Sequence, residues 1–269
     1  MTTAETRETP LKVPGSSPSD TVSSPMTQSA LTISIVMAVL NEAENIIPVC
    51  RELAATLEKL PPCEIVAVND GSTDLTVTRL LEARDNFLPQ LRIISHPKRL
   101  GKSAALRTGI EAAKGEWIAT IDGDGQDDPT SIIHMLSLAQ AHQGAAPLVV
   151  GVRRKRSDRL SRRIATKFAN GLRQKLLNDG CPDTGAPLKL FSRALFLRIP
   201  QFEGVHRFLP ALLGHYGAPL ICYEVQHRSR LHGQSKYTNL NRALVGIRDL
   251  LGVMWLQNRT HLPSRTTEH

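Results

Sequence analysis

From Leu31 onward, short apolar runs alternate with longer stretches in which apolar residues recur every three or four positions. That is the pattern of strands followed by amphipathic helices. Strands are predicted at 33–39, 64–68, 91–95, 117–121 and 148–152, and helices at 43–60, 74–86, 102–113 and 129–142. Ser72 or Asp74 is placed to cap the second helix, and Pro129 stands where a first-turn proline is tolerated. The alternation implies an α/β fold with a mainly parallel sheet flanked by helices. In open sheets of this kind ligands gather at the carboxyl ends of the strands. The informative loops are therefore those that begin at Asn41, Asn69, His96, Asp122 and Gly151.

Beyond Gly151 the pattern changes to a basic stretch from Arg153 to Lys175, opposed only by Asp158. Within it Leu160, Ile164, Phe168, Leu172 and Leu176 recur every fourth residue, the stripe of an amphipathic helix. A further strand is predicted at 220–226 and a terminal helix at 239–257, with Leu240, Leu244, Ile247, Leu251 and Met254 on one side. Residues 1–30, rich in Ser, Thr and Pro, read as a disordered leader without the apolar core of a secretory signal. This leaves one domain at 31–238, the amphipathic helix at 239–257, and a flexible tail at 258–269. There is no internal repeat and no apolar run of the roughly 20 residues that a membrane-spanning helix needs.

Composition narrows the field. Of 269 residues 33 are Lys or Arg and 25 Asp or Glu, and the net charge of +8 favours anionic partners without choosing among them. Only 4% of residues are aromatic and no nucleic-acid motif is present, so nucleic acid ranks last as a partner. Cys50, Cys63, Cys181 and Cys222 are scattered, which argues for reduced thiols rather than a disulfide scaffold or structural zinc. The histidines, including His206, His215, His227 and His232, show no ligand spacing.

The most informative segment runs from Trp117 through Asp122-Gly-Asp124-Gly-Gln126-Asp127-Asp128-Pro129. In extended backbone residues i and i+2 point to the same side, so Asp122 and Asp124 can approach one hard cation. The alternative is an acidic turn in which Asp127 or Asp128 caps the next helix. An EF-hand loop is excluded, because its sixth and twelfth positions would hold Asp127 and Ile133. Gly101-Lys102-Ser103 lacks the earlier glycine of a P-loop, where His96 stands, and no G-x-G-x-x-G follows the first strand.

Four blocks stand in order: Ile35 to Asn45, Val68-Asn69-Asp70-Gly71-Ser72-Thr73-Asp74, Gly101 to Gly109, and Asp122 to Pro129. Together they resemble the family 2 glycosyltransferases of GT-A fold. Gly151-Val-Arg153, Asp183-Thr-Gly-Ala-Pro-Leu-Lys189 and Arg230-Leu-His-Gly-Gln-Ser235-Lys236-Tyr237 resemble the dolichol-phosphate mannosyltransferase branch, whose members move a sugar from a nucleotide to a polyprenyl phosphate. The chain departs from the family pattern in two places, at Ala38 with Leu40 in the first block and at Leu100-Gly101-Lys102 around the start of the third. The resemblance implies that Ala38, Asn41, Glu42, Asp70, Gly101, Lys102 and Asp122 bind the donor, with Asp70 reading a uracil or guanine N–H. It implies that Asp122, Asp124 and Gln126 hold Mg²⁺ or Mn²⁺ and the diphosphate, and that Arg153 acts beside them. It further implies that Arg153, Arg162, Arg230, Ser235 and Lys236 bind the acceptor phosphate. Taken alone, Asn69-Asp70-Gly71 also suits a plain turn.

The implied reaction inverts the anomeric carbon by direct displacement at the cytoplasmic face of a membrane. Anchoring would be peripheral, through the terminal helix, or supplied by a separate membrane subunit. That helix suits either a membrane interface or packing on its own core. Two rival readings stand beside this one. One is a family 2 enzyme acting on a soluble sugar or other lipid hydroxyl, with Asp127, Asp128 or Asp183 as its base. The other is a non-catalytic module that binds nucleotides or anionic membranes.

Overall fold

The computed structural model describes residues 31–153, 171, 173–226, 228 and 239–262. The leader expected at 1–30, most of the basic stretch, and the segment carrying Arg230, Ser235 and Lys236 lie outside these residues. Seven strands, β1 (Ile33–Val39), β2 (Cys63–Asn69), β3 (Leu91–Ser95), β4 (Trp117–Asp122), β5 (Leu148–Arg153), β6 (Lys189–Ser192) and β7 (Leu220–Val225), form one sheet in the order β3-β2-β1-β4-β6-β5-β7. Pairings are parallel except those of β6, which runs antiparallel between β4 and β5.

The central strands are apolar on both faces because helices cover both. On one face Ile35, Met37 and Val39 pack with α1 (Ala43–Leu57), α2 (Thr76–Asn86) and α4 (Ser131–Ala141). On the other, Val36, Val66 and Val68 meet α3 (Lys102–Ala112) and α6 (Leu209–His215). Each such fully buried side chain contributes about 1.5–3 kcal/mol, so the centre of the sheet is the rigid part. Gly109 lets α3 lie close: a Cβ there would stand 2.5 Å from Val36 Cγ1. Its N-terminus, with Gly101 and Lys102, is thereby brought to the carboxyl edge of β1 and β4.

Helix ends differ from the sequence expectation for local reasons. Near Pro61 and Pro62, α1 gives way at Leu57 to three-residue turns, with Lys59 N–H donating to Thr56 O and Leu60 N–H to Leu57 O. The second helix begins at Thr76 because Asp74 Oδ1 accepts the Thr76 N–H at 3.0 Å. The fourth begins at Ser131, with Asp128 Oδ1 accepting the Thr130 N–H at 3.1 Å.

Of the stripe expected on the basic stretch only Leu176 lies among the described residues, whereas the stripe of the terminal helix is laid out differently. At the end of the basic stretch, residues 173–177 are helical; Leu177 is buried while Leu176 is exposed, and Arg173 is buried in ion-pair contact with Asp179. The short α5 (Arg193–Phe196) follows β6, and α7 (Asn239–Arg259) closes the described chain. On α7 the packed side carries Leu250, Val253 and Met254. Ile247, Leu251 and Trp255 face outward, at 58%, 58% and 60% exposure. The expected single stripe is thus divided between two faces. Arg207 Nη2 donates to Asp249 Oδ2 at 2.8 Å and Gln257 Nε2 to Ala211 O at 3.1 Å, fastening the helix to the body. Among the described residues no helix is long and apolar enough to cross a membrane.

Candidate active site at the carboxyl edge of the sheet

The loops after β1 and β2 are stitched together. Asn41, at φ +50°, gives its N–H to Ser72 Oγ at 2.9 Å and accepts the Thr73 N–H on Oδ1 at 2.8 Å. Glu42 N–H donates to Thr76 Oγ1, and the Asp70 N–H to Val39 O. Gly71, at φ +72°, lies where a Cβ would collide with the Lys98 backbone at 2.5 Å, so the Asn-Asp-Gly turn also abuts the loop after β3.

Asp70 is the hub of that third loop. It is buried, and its carboxylate accepts Leu100 N–H and Gly101 N–H at 2.8 Å each and meets His96 Nδ1 at 2.9 Å. His96 Nε2 stands 3.0 Å from Thr108 Oγ1 on α3. A carboxylate has about four lone-pair sites. Asp70 therefore retains one for a ligand beyond these three partners.

At the end of β4, Asp122 is ion-paired with Lys102. Asp124 is buried and accepts the Gln126 N–H at 3.2 Å. Asp128 forms the turn that leads into α4, accepting from Thr130 N–H and Oγ1–H. The neighbouring Asp127 is only 3% exposed, and neither of its carboxylate oxygens has a hydrogen-bond partner among the described residues. Burial, followed by the negative charges of Asp122 and Asp124, pushes its carboxyl up to about 7 against the pull of Lys102 and Arg153. Gln126 turns toward the chain beyond β7: its Nε2 donates to Arg228 O at 3.3 Å and its carbonyl accepts the Arg228 N–H at 2.9 Å. Arg228 also grips Glu52 of α1 with two contacts of 2.9 Å.

Arg153 ends β5 facing the acidic loop. Asp183 holds it in a bidentate pair, Nε to Oδ2 at 2.6 Å and Nη2 to Oδ1 at 2.7 Å. Burial works against its charge, but the Asp183 hydrogen bond and carboxylate, with Asp127 and Asp122 behind, raise the guanidinium pKa above its ordinary value. The loop that carries Asp183 is itself pinned. Lys189, buried on β6, donates Nζ–H to Ala186 O, and Thr120 Oγ1 donates to Pro187 O at 2.6 Å. Burial, then the nearby Lys102 charge, brings the Lys189 ammonium down to about 8.

The structure thus gathers Asn41, Glu42, Asp70, Gly101, Lys102, Asp122, Asp124, Gln126 and Arg153 on one edge, with Ala38 in register with Asp122. Arg162, Arg230, Ser235 and Lys236 lie outside the described residues. Sequence reasoning places His96 only at the start of a loop, and Asp183 only at the head of a resembling block and as a rival base; it foresees neither pairing. The separations explain this: His96 is 26 residues from Asp70 and Asp183 is 30 from Arg153, with no shared period. Hard oxygen donors are what Mg²⁺ or Mn²⁺ takes. Asp122 and Asp124 offer such donors, and beside them the oxygens of Asp127 are buried without a hydrogen-bond partner among the described residues. Among the described residues no group of three acidic, His or Cys side chains is placed to hold a metal ion by itself.

Comparison with known proteins gives one family. The sequence model of glycosyl transferase family 2 matches residues 34–199, more than half of the chain. The dodecaprenyl-phosphate galacturonate synthase of Rhizobium johnstonii is 33% identical over 84% of this chain and 67% of its own length. The undecaprenyl-phosphate 4-deoxy-4-formamido-L-arabinose transferase of Pectobacterium carotovorum is 30% identical over 77% of this chain. The chain spans 63% of that second relative. Among solved structures, glucosyl-3-phosphoglycerate synthase of Mycobacterium tuberculosis with phosphoglyceric acid superposes with a TM-score of 0.63 at 20% identity, covering 84% of this chain and 80% of that one. The same enzyme with Mn²⁺ and UDP-glucose gives 0.62, covering 84% and 79%. At that identity the likeness establishes the GT-A fold.

Proposed function

This chain belongs to glycosyl transferase family 2, and from that premise we propose that it moves a sugar from a nucleoside diphosphate to a polyprenyl phosphate, inverting the anomeric carbon by direct displacement. The observation that carries the reading is the opposition, across one sheet edge, of the Asp122 carboxylate that ends β4 and the Arg153 guanidinium that ends β5, close enough for their charges to couple. The relatives named for polyprenyl-phosphate products support the same acceptor.

The roles follow from the chemistry of each group. Asp70, with one acceptor site left, reads the N–H of the base, while Asn41 and Glu42 flank the nucleoside. Asp122 and Asp124, aided by Gln126, hold Mg²⁺ or Mn²⁺. When bound, that ion supplies charge neutralisation for the departing diphosphate. Lys102, now on Asp122, stands at the same edge for the donor phosphates. Arg153 offers the acceptor phosphate a charge-assisted contact, with Arg162, Arg230, Ser235 and Lys236 completing the acceptor site. A phosphate oxygen is already anionic, so it attacks without a strong base. The rival in which Asp183 deprotonates a hydroxyl is disfavoured, because that carboxylate is committed to Arg153 through both oxygens.

The acceptor is a lipid, and the outward face of α7, Ile247, Leu251 and Trp255 with Arg248, is the peripheral contact with the cytoplasmic face of the membrane. Incubation with radiolabelled nucleotide sugars, Mg²⁺ and a short polyprenyl phosphate yields labelled lipid. Asp124→Ala abolishes that product while leaving the circular dichroism spectrum unchanged. Wild-type protein that forms no lipid product with any common donor refutes the acceptor assignment.

A further inference from the structure

We propose that Asp127 is a positioning residue of the cation site: its buried, unpartnered carboxylate strengthens the hold of Asp122 and Asp124 on the divalent ion. This rests on the reading of Asp122 and Asp124 as the ion's ligands.

Asp127 is 3% exposed and both its oxygens lack hydrogen-bond partners among the described residues. Leaving a carboxylate in that state is costly, and native interiors rarely tolerate it without an ion or water to answer it. The nearest charges deepen the cost, since Asp122 and Asp124 carry the same sign. The two cations that bear on Asp127 are also engaged elsewhere: Lys102 is paired with Asp122, and Arg153 is held through Nε and Nη2 by Asp183. Gln126, next along the chain, turns its amide to Arg228. A hard dication drawn to Asp122 and Asp124 is the species whose arrival answers the stranded charge. The three carboxylates form no closed nest, so Asp127 acts through the field it adds and not as a required ligand. An asparagine of the same shape would avoid the cost and forgo the pull.

The test is Mn²⁺ binding by the full-length protein, followed by electron paramagnetic resonance alone and with UDP, GDP or CDP, and by thermal unfolding with and without Mn²⁺. Asp127→Asn is expected to weaken Mn²⁺ binding about 10- to 100-fold, the range for an outer residue of a metal site. It should also raise the melting temperature of the metal-free protein and shrink the Mn²⁺-induced rise. Unchanged Mn²⁺ affinity in Asp127→Asn, or a metal-free variant less stable than wild type, overturns the proposal. Asp124→Asn separates the two layers. If it loses Mn²⁺ while Asp127→Asn keeps it, only the role of Asp127 fails; if both keep it, the ion's placement on this loop fails as well.

Discussion

At the scale of single residues, Arg153 shows how one contact divides two mechanisms. Its bidentate pair with Asp183 fixes the guanidinium plane and keeps it charged inside a half-enclosed edge. Asp183→Asn removes the charge-assisted pair, and a contact of that kind is worth about 1.5–3 kcal/mol. The expected result is a rise of roughly 10- to 100-fold in KM for the polyprenyl phosphate, at most a small change in kcat, and no change in the pH–rate profile. Were Asp183 a base, kcat would collapse and the acid limb of that profile would vanish. Asp122 and Asp124 were legible because they follow the apolar run of β4 two residues apart, and Arg153 was legible through the family resemblance. The sequence did not show the pairing of Asp183 with Arg153, that of His96 with Asp70, or the burial of Asp127, since burial and pairing across 26 or 30 residues leave no trace in spacing.

At the scale of elements, the opposite end of the sheet is held by a buried polar knot. Glu64 of β2 accepts from Ser34 Oγ at 2.7 Å, Arg92 Nη1 at 2.6 Å and Lys114 N–H at 2.6 Å, joining β1, β2, β3 and the end of α3. Burial alone would lift its carboxyl, but the hydrogen bonds from Arg92, Ser34 and Lys114 hold it below the ordinary 4.5. A carboxyl depressed in the folded state stabilises fully above its unfolded value, and that contribution fades as pH falls through the folded value. Glu64→Gln is therefore expected to cost about 2 kcal/mol at pH 7 and progressively less below pH 4.5, read from urea midpoints across pH. Strand and helix existence was legible here because the apolar periods are long and clean. The four-residue β6 was not: it opens on a lysine two residues after Pro187 and is too short to display alternation. Burial against β4 and β5, rather than local preference, makes it a strand.

At the scale of the molecule, α7 has one face spent on the body and another left to solvent. Leu251→Ser with Trp255→Ser leaves Val253 and the Arg207–Asp249 pair in place. Each exposed apolar side chain is worth about 1.5–3 kcal/mol on burial, so the double variant should lose at least 10-fold in binding to phosphatidylglycerol-containing vesicles in sedimentation. Transfer to a short, water-soluble polyprenyl phosphate should persist; equal vesicle binding by both proteins would remove α7 from the membrane contact. The antiparallel β6 has a consequence of another kind. It separates the strand that ends in Asp122 from the one that ends in Arg153 by two interstrand steps, about 10 Å in all. That interval, cut into the rigid middle of the sheet, sets how far apart the two backbones stand from which Asp122 and Arg153 project. Hexoses of different decoration can be admitted by reshaping the surrounding loops, while that span stays constant.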